Sequence, residues 1–223
     1  ERFWVPLGTK DFGSIIAALP DDVDAIYLGL GGGDAVNFLN QYQQAGGDAN
    51  LIGGTIMVDA TVLSSKGSAK EALVGVPSSG PQADTWDDDN WQAFVASYQN
   101  TFEESERFPS PSLMATGYYN AFTAMKMCVD EVGGDLTDGH AAFRGCLSEL
   151  EIDATNGKIS LDGYRQAIVT YFVTEVVELD DGTMANQLVQ VVSNVPQTLG
   201  LSDDAFAAVG LPSRENPVCK SDY

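Results

Sequence analysis

Residues 25–39, AIYLGLGGGDAVNFL, place a hydrophobic strand, a run of glycines and a helix in the order that dinucleotide-binding proteins use. That chemistry needs glycine at the first, third and sixth places of the loop, so that backbone amides at the helix start can approach a pyrophosphate. Gly29 and Gly31 meet the first two requirements, but Asp34 stands in the sixth place. A carboxylate there satisfies the helix amides itself and repels a phosphate. The next strand, NLIGGT, ends in Gly54 and Thr55 and offers no acidic residue for a ribose; Asp48 precedes it. A partial fingerprint of this kind is weak evidence. A nucleotide-dependent α/β enzyme using residues 29–34 stands as the alternative reading.

Other reactive constellations are sparser. A single histidine, His140, is expected exposed at the start of a helix, so neither a histidine-dependent triad nor a multi-histidine metal site can be assembled. There is no Gly-x-Ser-x-Gly elbow and no phosphate-binding Gly-Lys-Ser/Thr loop. The cluster DTWDDDNW, residues 84–91, supplies carboxylates but lacks the glycine and closing glutamate of a calcium loop. A helix N-cap and a solvated loop account for those aspartates. No catalytic residue, metal site or cofactor is assigned, and the chain is read as a non-enzyme.

Thirty-two acidic residues against eleven Lys and Arg give a net charge of −21, which repels nucleic acid and anionic membrane surfaces alike. No stretch approaches the roughly 18 apolar residues of a membrane span, so the chain is expected not to be membrane-embedded. No signal peptide opens it, and ERFWVPLG reads as a strand already in progress, so a mature or truncated piece is expected. Cys128 and Cys146 lie in consecutive helical runs on either side of a Gly-Gly-Asp turn. If those helices fold back about residues 135–137, the two cysteines come nearly opposite, as a disulfide requires. The pairing implies an oxidising compartment; two small buried apolar side chains are the other reading. Cys219 has no visible partner, which points to one outside this sequence.

The elements that would position these residues alternate over the first 80 positions. RFWVPL, AIYLGL, NLIGG and ALVGVPSS read as strands, with DFGSIIAAL, GDAVNFLNQYQQAGG and MVDATVLSS as helices between them. Such alternation predicts a parallel sheet flanked by helices. In the second helix Val36, Leu39 and Tyr42 follow helical spacing, and Gly46-Gly47 predicts its C-terminal cap. A Pro/Gly/Asp-rich passage after residue 78 then leads to helices at NWQAFVASYQNTFEESE, SLMATGYYNAFTAMKMCVDEV and GHAAFRGCLSEL. Two β-rich runs around Asp180-Asp181-Gly182 predict a hairpin, and the tail carries one short helix.

In order and spacing, VPLGTKDFGSIIAAL, DAIYLGLGGGDAVNFLNQYQQAG, LIGGTIMVDATVL, ALVGVPSS, NWQAFVASYQNTF, TGYYNAFTAMKM and GKISLDGYRQAIVTYFVTEV resemble the type I periplasmic binding proteins of the branched-chain amino acid type. No single motif is diagnostic; the ordered series over residues 3–195 is. The resemblance implies a two-lobed α/β architecture, with residues 1–79 and 168–223 in the second lobe. Residues 80–167 would form part of the first lobe, whose opening segment has no counterpart here. Without it, the helices of residues 90–150 would expose apolar faces. The implied function is a periplasmic or extracellular receptor that captures a small organic solute, amino acid-like, amide or carboxylate, and presents it to an ABC transporter permease. The sensory ligand-binding domain of a receptor uses similar lobes and is a further alternative.

The resemblance carries six residues to the ligand: Gly31, Gly32 and Asp34 on the loop, Thr55 after the next strand, and Met114 and Tyr118 at the start of a helix. The family's ammonium-binding carboxylate falls on Thr55, which cannot neutralise an ammonium, so this resemblance points away from an α-amino acid. Sparse Lys and Arg near the loops argue against a strongly anionic solute. Met114 and Tyr118 also read as ordinary helix-packing residues.

Overall fold

The computed structural model describes residues 1–215, so Cys219 lies outside the described residues. Strands β1 (Ala25–Leu28), β2 (Asn50–Gly54) and β3 (Pro77–Gly80) are parallel neighbours in that order. Helix α1 (Gly13–Ile16) precedes them, α2 (Gly32–Gln44) joins β1 to β2, and α3 (Ala60–Leu63) and α4 (Ser68–Leu73) lie between β2 and β3. Beyond β3 come α5 (Asp89–Thr101), α6 (Leu113–Glu131), α7 (Ala141–Glu149), strands β4 (Ile152–Ala154), β5 (Gly157–Leu161), β6 (Ala167–Glu178) and β7 (Met184–Val195), and α8 (Asp203–Val209). The sheet order is β1-β2-β3-β6-β5-β4, with β7 also paired to β6. Parallel strands with crossover helices on one side and antiparallel hairpins on the other make a mixed α/β architecture.

The helical spacing in α2 has its expected consequence. Ala35, Phe38, Leu39 and Tyr42 are buried together with Phe12, Leu51, Met57, Val62, Leu73 and Val176. Phe12 meets the Phe38 ring edge-on at 5.6 Å, and Tyr42 stacks on that ring at 5.5 Å. Gly46, at φ +77°, ends the helix: its amide donates to Gln43 O and the Gly47 amide to Tyr42 O. This reciprocal pair is the glycine C-cap that Gly46-Gly47 predicts.

Three elements differ from expectation. Residues 1–6 form no strand, and Phe3, Trp4 and Leu7 are exposed; β hydrogen bonds come only from a neighbouring strand, and β1 is paired to β2. DFGSIIAAL shortens to the single turn of α1, because Pro20 disfavours helix at Leu19. ALVGVPSS opens in helix and only its end is strand: α4 runs to Leu73, burying Ala69 and Leu73. Gly75, at φ +84°, then reverses the chain before β3. A further hairpin, β4–β5, turns at Asn156-Gly157, with pairs from Ile152↔Ile159 to Ala154↔Gly157. The β6–β7 hairpin and α8 fall where the sequence puts them.

Helices α6 and α7 fold back antiparallel about residues 133–139, and Cys128 and Cys146 are disulfide-bonded, with Cα atoms 5.7 Å apart. Asn120 fastens α6 to the β4–β5 turn, donating to Asn156 Oδ1 at 3.0 Å and accepting from the Thr155 amide and hydroxyl. The opposite side of α6 stays open: Met114, Tyr118, Phe122 and Met125, at helical spacing, are all exposed. The sequence anticipates this open face for the helices of residues 90–150.

Reducing the disulfide, or replacing Cys146 by Ser, is expected to lower the unfolding free energy by about 3 kcal/mol, since the bond closes a short loop. Urea unfolding with and without dithiothreitol measures this. Superimposable curves would show that the bond constrains nothing.

Candidate ligand-binding site

The register of the parallel strands, Leu28↔Gly53 and Gly54↔Ser79, brings the loops after β1, β2 and β3 out at one carboxyl edge. Small residues let these loops approach. A Cβ on Gly31 would lie 2.5 Å from Ile56 Cγ1, so the loop after β1 rests directly on the residue following Thr55. A Cβ on Gly80 would lie 1.2 Å from Thr55 Oγ1, and that hydroxyl donates to Ser79 O at 3.1 Å. Gly32, at φ +53°, turns the chain into α2.

Asp34 acts otherwise than expected at the helix start. Gly31 is the N-cap of α2 and no side chain caps it; Asp34 Oδ2 instead accepts from the Gly8 amide at 2.8 Å. Two residues into the first turn, the carboxylate lies favourably in the helix dipole and ties the helix start to Gly8 in the segment before α1. A carboxylate held at this helix start opposes a phosphate, in agreement with the sequence argument.

Asp59, which the sequence did not single out, joins this edge to α6: its Oδ1 accepts from the Leu113 amide at 2.7 Å, while Ser112 Oγ accepts from Ala115 N. The start of α6 is thereby held beside the segment that follows Thr55. Met114 and Tyr118 stand one turn apart on the exposed side of that helix. Among the described residues, no hydrogen bond or ring contact ties either to the sheet edge, whereas Tyr119 packs on Phe94 at 4.5 Å. The structure thus gathers Gly31, Gly32, Asp34 and Thr55, and leaves Met114 and Tyr118 on a neighbouring open face.

Behind Thr55 lies a cavity of about 380 Å³, lined among others by Val58, Leu63, Asp84, Pro111 and Asn186. Of the six sequence-assigned residues only Thr55 borders it. Asp84 is its hub. Oδ1 accepts from Ser110 Oγ at 2.7 Å and Gln82 Nε2 at 3.2 Å, Oδ2 accepts from the Asn186 amide at 2.8 Å, and the Asp84 amide donates to Asn186 O. Gln82 extends the network to Pro111 O and the Thr116 hydroxyl. The solvated-loop reading of this aspartate is therefore corrected, while Asp88 supplies the helix N-cap that the sequence assigns to the cluster without naming its residue. Withdrawal from water raises the Asp84 carboxyl above its ordinary value, against the opposing pull of its hydrogen bonds. His140 is exposed at the start of α7. No group of three or more His, Cys, Asp or Glu that could hold a metal occurs among the described residues.

Loops converging at the carboxyl edge of a parallel sheet are the place where open α/β folds carry their ligand crevices. The chain belongs to the periplasmic binding protein family: that family's profile matches residues 1–183. An ABC transporter substrate-binding protein from Sphaerobacter thermophilus is 24% identical over 85% of this chain and 51% of its own, with a TM-score of 0.75. A solute binding protein of an ABC transporter from Rhodopseudomonas palustris, in complex with 3,4-dihydroxy benzoic acid, is 21% identical over 83% and 50%, at 0.71. The leucine binding protein LivK from Thermotoga maritima is 17% identical over 86% and 51%, at 0.67. These likenesses are of fold, the type I form of the family, and the chain spans about half the length of the solved structures it matches. No curated protein matches the sequence. Among the described residues no helix is long and apolar enough to cross a membrane.

Thr55→Ala is expected to cost about 1 kcal/mol through the lost bond to Ser79 O, and Gly80→Ala more, because its methyl overlaps the Thr55 side chain. Thr55→Gly in the Gly80→Ala background should recover part of that loss in urea unfolding. For Asp84, a raised folded-state pKa makes the native state bind the proton more tightly than the unfolded state. Its contribution is fully present below the ordinary carboxylate value and is lost as pH rises through the folded value. The stability of wild type relative to Asp84→Asn should therefore fall from acid toward neutral pH. A pH-independent difference would show that Asp84 titrates as an ordinary carboxyl.

Proposed function

We propose that this chain is the C-terminal part of an extracytoplasmic solute-binding protein that captures a small organic solute in an interlobe cleft and delivers it to an ABC importer permease, with no chemistry performed. Residues 1–79 and 168–223 make up its second lobe and residues 80–167 part of its first. One observation carries this reading: the loops after β1, β2 and β3 converge at one carboxyl edge, with the start of α6 fastened beside it through Asp59. Gly31, Gly32, Asp34 and Thr55 contribute the second lobe's contacts, and Met114 and Tyr118 the apolar contact from the first. Binding then closes the lobes, because the ligand touches both only in the closed state.

The neighbours' ligands support the solute class. Several are ABC-transporter solute binding proteins solved with benzoate or hydroxybenzoates, and another is a branched-chain amino acid binding protein in complex with isoleucine. These share a carboxylate on an apolar body. Thr55 offers a hydroxyl where an ammonium would need a charge, so a simple carboxylate or amide fits this chain better than an α-amino acid.

The test is a thermal-shift screen of the full-length protein with 4-hydroxybenzoate, leucine, acetamide and NAD. A ligand bound only by the native state raises the melting temperature by mass action. We expect 4-hydroxybenzoate or acetamide to raise it, NAD to leave it unchanged, and Gly31→Val to abolish the shift by driving a side chain into Ile56. A shift with NAD alone would return the glycine loop to phosphate binding.

A further inference from the structure

Away from the glycine loop, α7 and the turn between β5 and β6 wall an open cavity of about 470 Å³, lined by Arg144, Ser148, Leu161, Asp162 and Arg165 among others. Arginines elsewhere are engaged by the fold: Arg107 donates to Gln99 O and Phe102 O, and Arg214 lies over the Trp4 ring at 5.8 Å. Arg144 and Arg165 are exposed, and neither guanidinium has a hydrogen bond or ion pair among the described residues. The one carboxylate on the wall does not neutralise them. Asp162 is bonded within its own turn and to the chain beyond β7: Oδ1 accepts from the Tyr164 amide at 2.8 Å and the Gln166 amide at 2.9 Å, and Oδ2 from Gln197 Nε2 at 3.1 Å. The Ser148 hydroxyl donates to Arg144 O at 2.9 Å. The side-chain donors left free on this wall are therefore the two guanidinium groups.

Two residues of the same wall sit where their type is locally unfavourable. Arg165 adopts φ +64°, in the left-handed region that favours glycine. The turn holds it there, with the Arg165 amide donating to Asp162 O at 2.9 Å and the Asp162 amide to Gln166 O at 2.8 Å. Gly145 lies inside α7, where glycine weakens a helix relative to alanine, and a Cβ on it would meet nothing within 4 Å. Arg165 is exposed and Gly145 has open space beside it, so packing accounts for neither. Departures from local preference that packing does not explain gather at functional sites. The charge balance is also particular to this place: in a chain of net charge −21, which repels anions over most of its surface, the wall sets two positive charges against one carboxylate.

We propose that this cavity is an anion site, separate from the glycine-loop edge, and that it takes the phosphate group of inorganic phosphate or of a small phosphomonoester between Arg144 and Arg165. Each guanidinium presents a planar fork of donors that fits two phosphate oxygens. A phosphate group carries about −1.5 to −2 charges at neutral pH, which two arginines match, whereas a single arginine fork already pairs with a monocarboxylate. Gly145 keeps the wall beside Arg144 free of a side chain, and the turn that fixes Arg165 in the left-handed region sets its guanidinium on the opposite element. The cavity volume falls within the roughly 300 to 1,000 Å³ range of organic-ligand pockets, so it admits a phosphate with a small organic body.

The probes are sodium phosphate and glycerol phosphate, titrated calorimetrically into the full-length protein at neutral pH and constant ionic strength, with sodium acetate and sodium chloride as controls. The expected result is saturable binding of phosphate, of its ester or of both, weakened about tenfold or more by Arg144→Gln and by Arg165→Gly. Tighter binding of the ester assigns the site to a phosphomonoester, and equal or tighter binding of phosphate assigns it to the free anion. Arg165→Gly separates binding from folding, because glycine suits φ +64°: its urea midpoint should hold or rise while phosphate binding falls. Acetate bound as tightly as phosphate would overturn the assignment to a phosphate group. Heat that sodium chloride reproduces, affinity unchanged in both variants, or no saturable binding at tens of millimolar would overturn the site. Gly31→Val should leave phosphate binding intact; its loss there would place the phosphate on the glycine loop and overturn this site.

Discussion

A single strand, β6, holds together parts of the chain that would otherwise have no fixed relation. Along one edge it pairs with β7 over nearly its whole length, and its other edge is divided: residues 172–175 take β3, and residues 167–168 take β5. Phe172 and Val176 project from it into the core. A strand hydrogen-bonded on both edges cannot rotate without breaking ladders on each side. The parallel sheet and the β4–β5 hairpin, with α6 clamped to that hairpin through Asn120, are therefore placed by one continuous backbone. Asp84 adds a second tie, joining the segment after β3 to β7 and to Ser110.

Within this frame the glycines do packing work. Gly31 lets the loop after β1 touch Ile56, and Gly80 admits the Thr55 hydroxyl against the end of β3. A Cβ on Gly54 would meet the Tyr27 hydroxyl at 3.0 Å. Three loops can converge on one small area only if their backbones come nearly into contact. The same residue type that cradles a phosphate elsewhere here brings loop to loop, and Asp34 tethers that region to Gly8. A glycine-rich strand-to-helix loop thus has two distinct physical uses, and the side chain at the sixth position separates them.

Helix α6 carries the opposite character on its two sides. Thr116 and Asn120 are buried polar anchors, bonded to Gln82 and to the β4–β5 turn, while Met114, Tyr118, Phe122 and Met125 make an exposed apolar stripe. Amphipathic helices ordinarily turn the apolar stripe inward. Each such side chain would gain roughly 1.5 to 3 kcal/mol on full burial. The stripe runs along the helix, whereas only its first turn lies beside Asp59 and Thr55.

What the sequence determined by itself was local and periodic. The apolar spacing and glycine cap of α2, the limits of β2, the β6–β7 hairpin and the fold-back of the two cysteine-bearing helices all follow from neighbours within about twenty positions, whereas the choice between a Cys128–Cys146 disulfide and two buried thiols stayed open until the structure paired them. The ordered series of segments also conveyed the family. The tertiary structure alone decided that Asp84 is withdrawn from water, that Asp59 holds α6, that Asp34 bonds to Gly8, and that Arg144 and Arg165 line one cavity. Asp84 and Asn186 meet across 102 positions, and Asp59 and Leu113 across 54. A bond between single residues so far apart imposes no repeat on either segment, so hydrophobic periodicity and turn chemistry carry no trace of it until the sheet has brought them together.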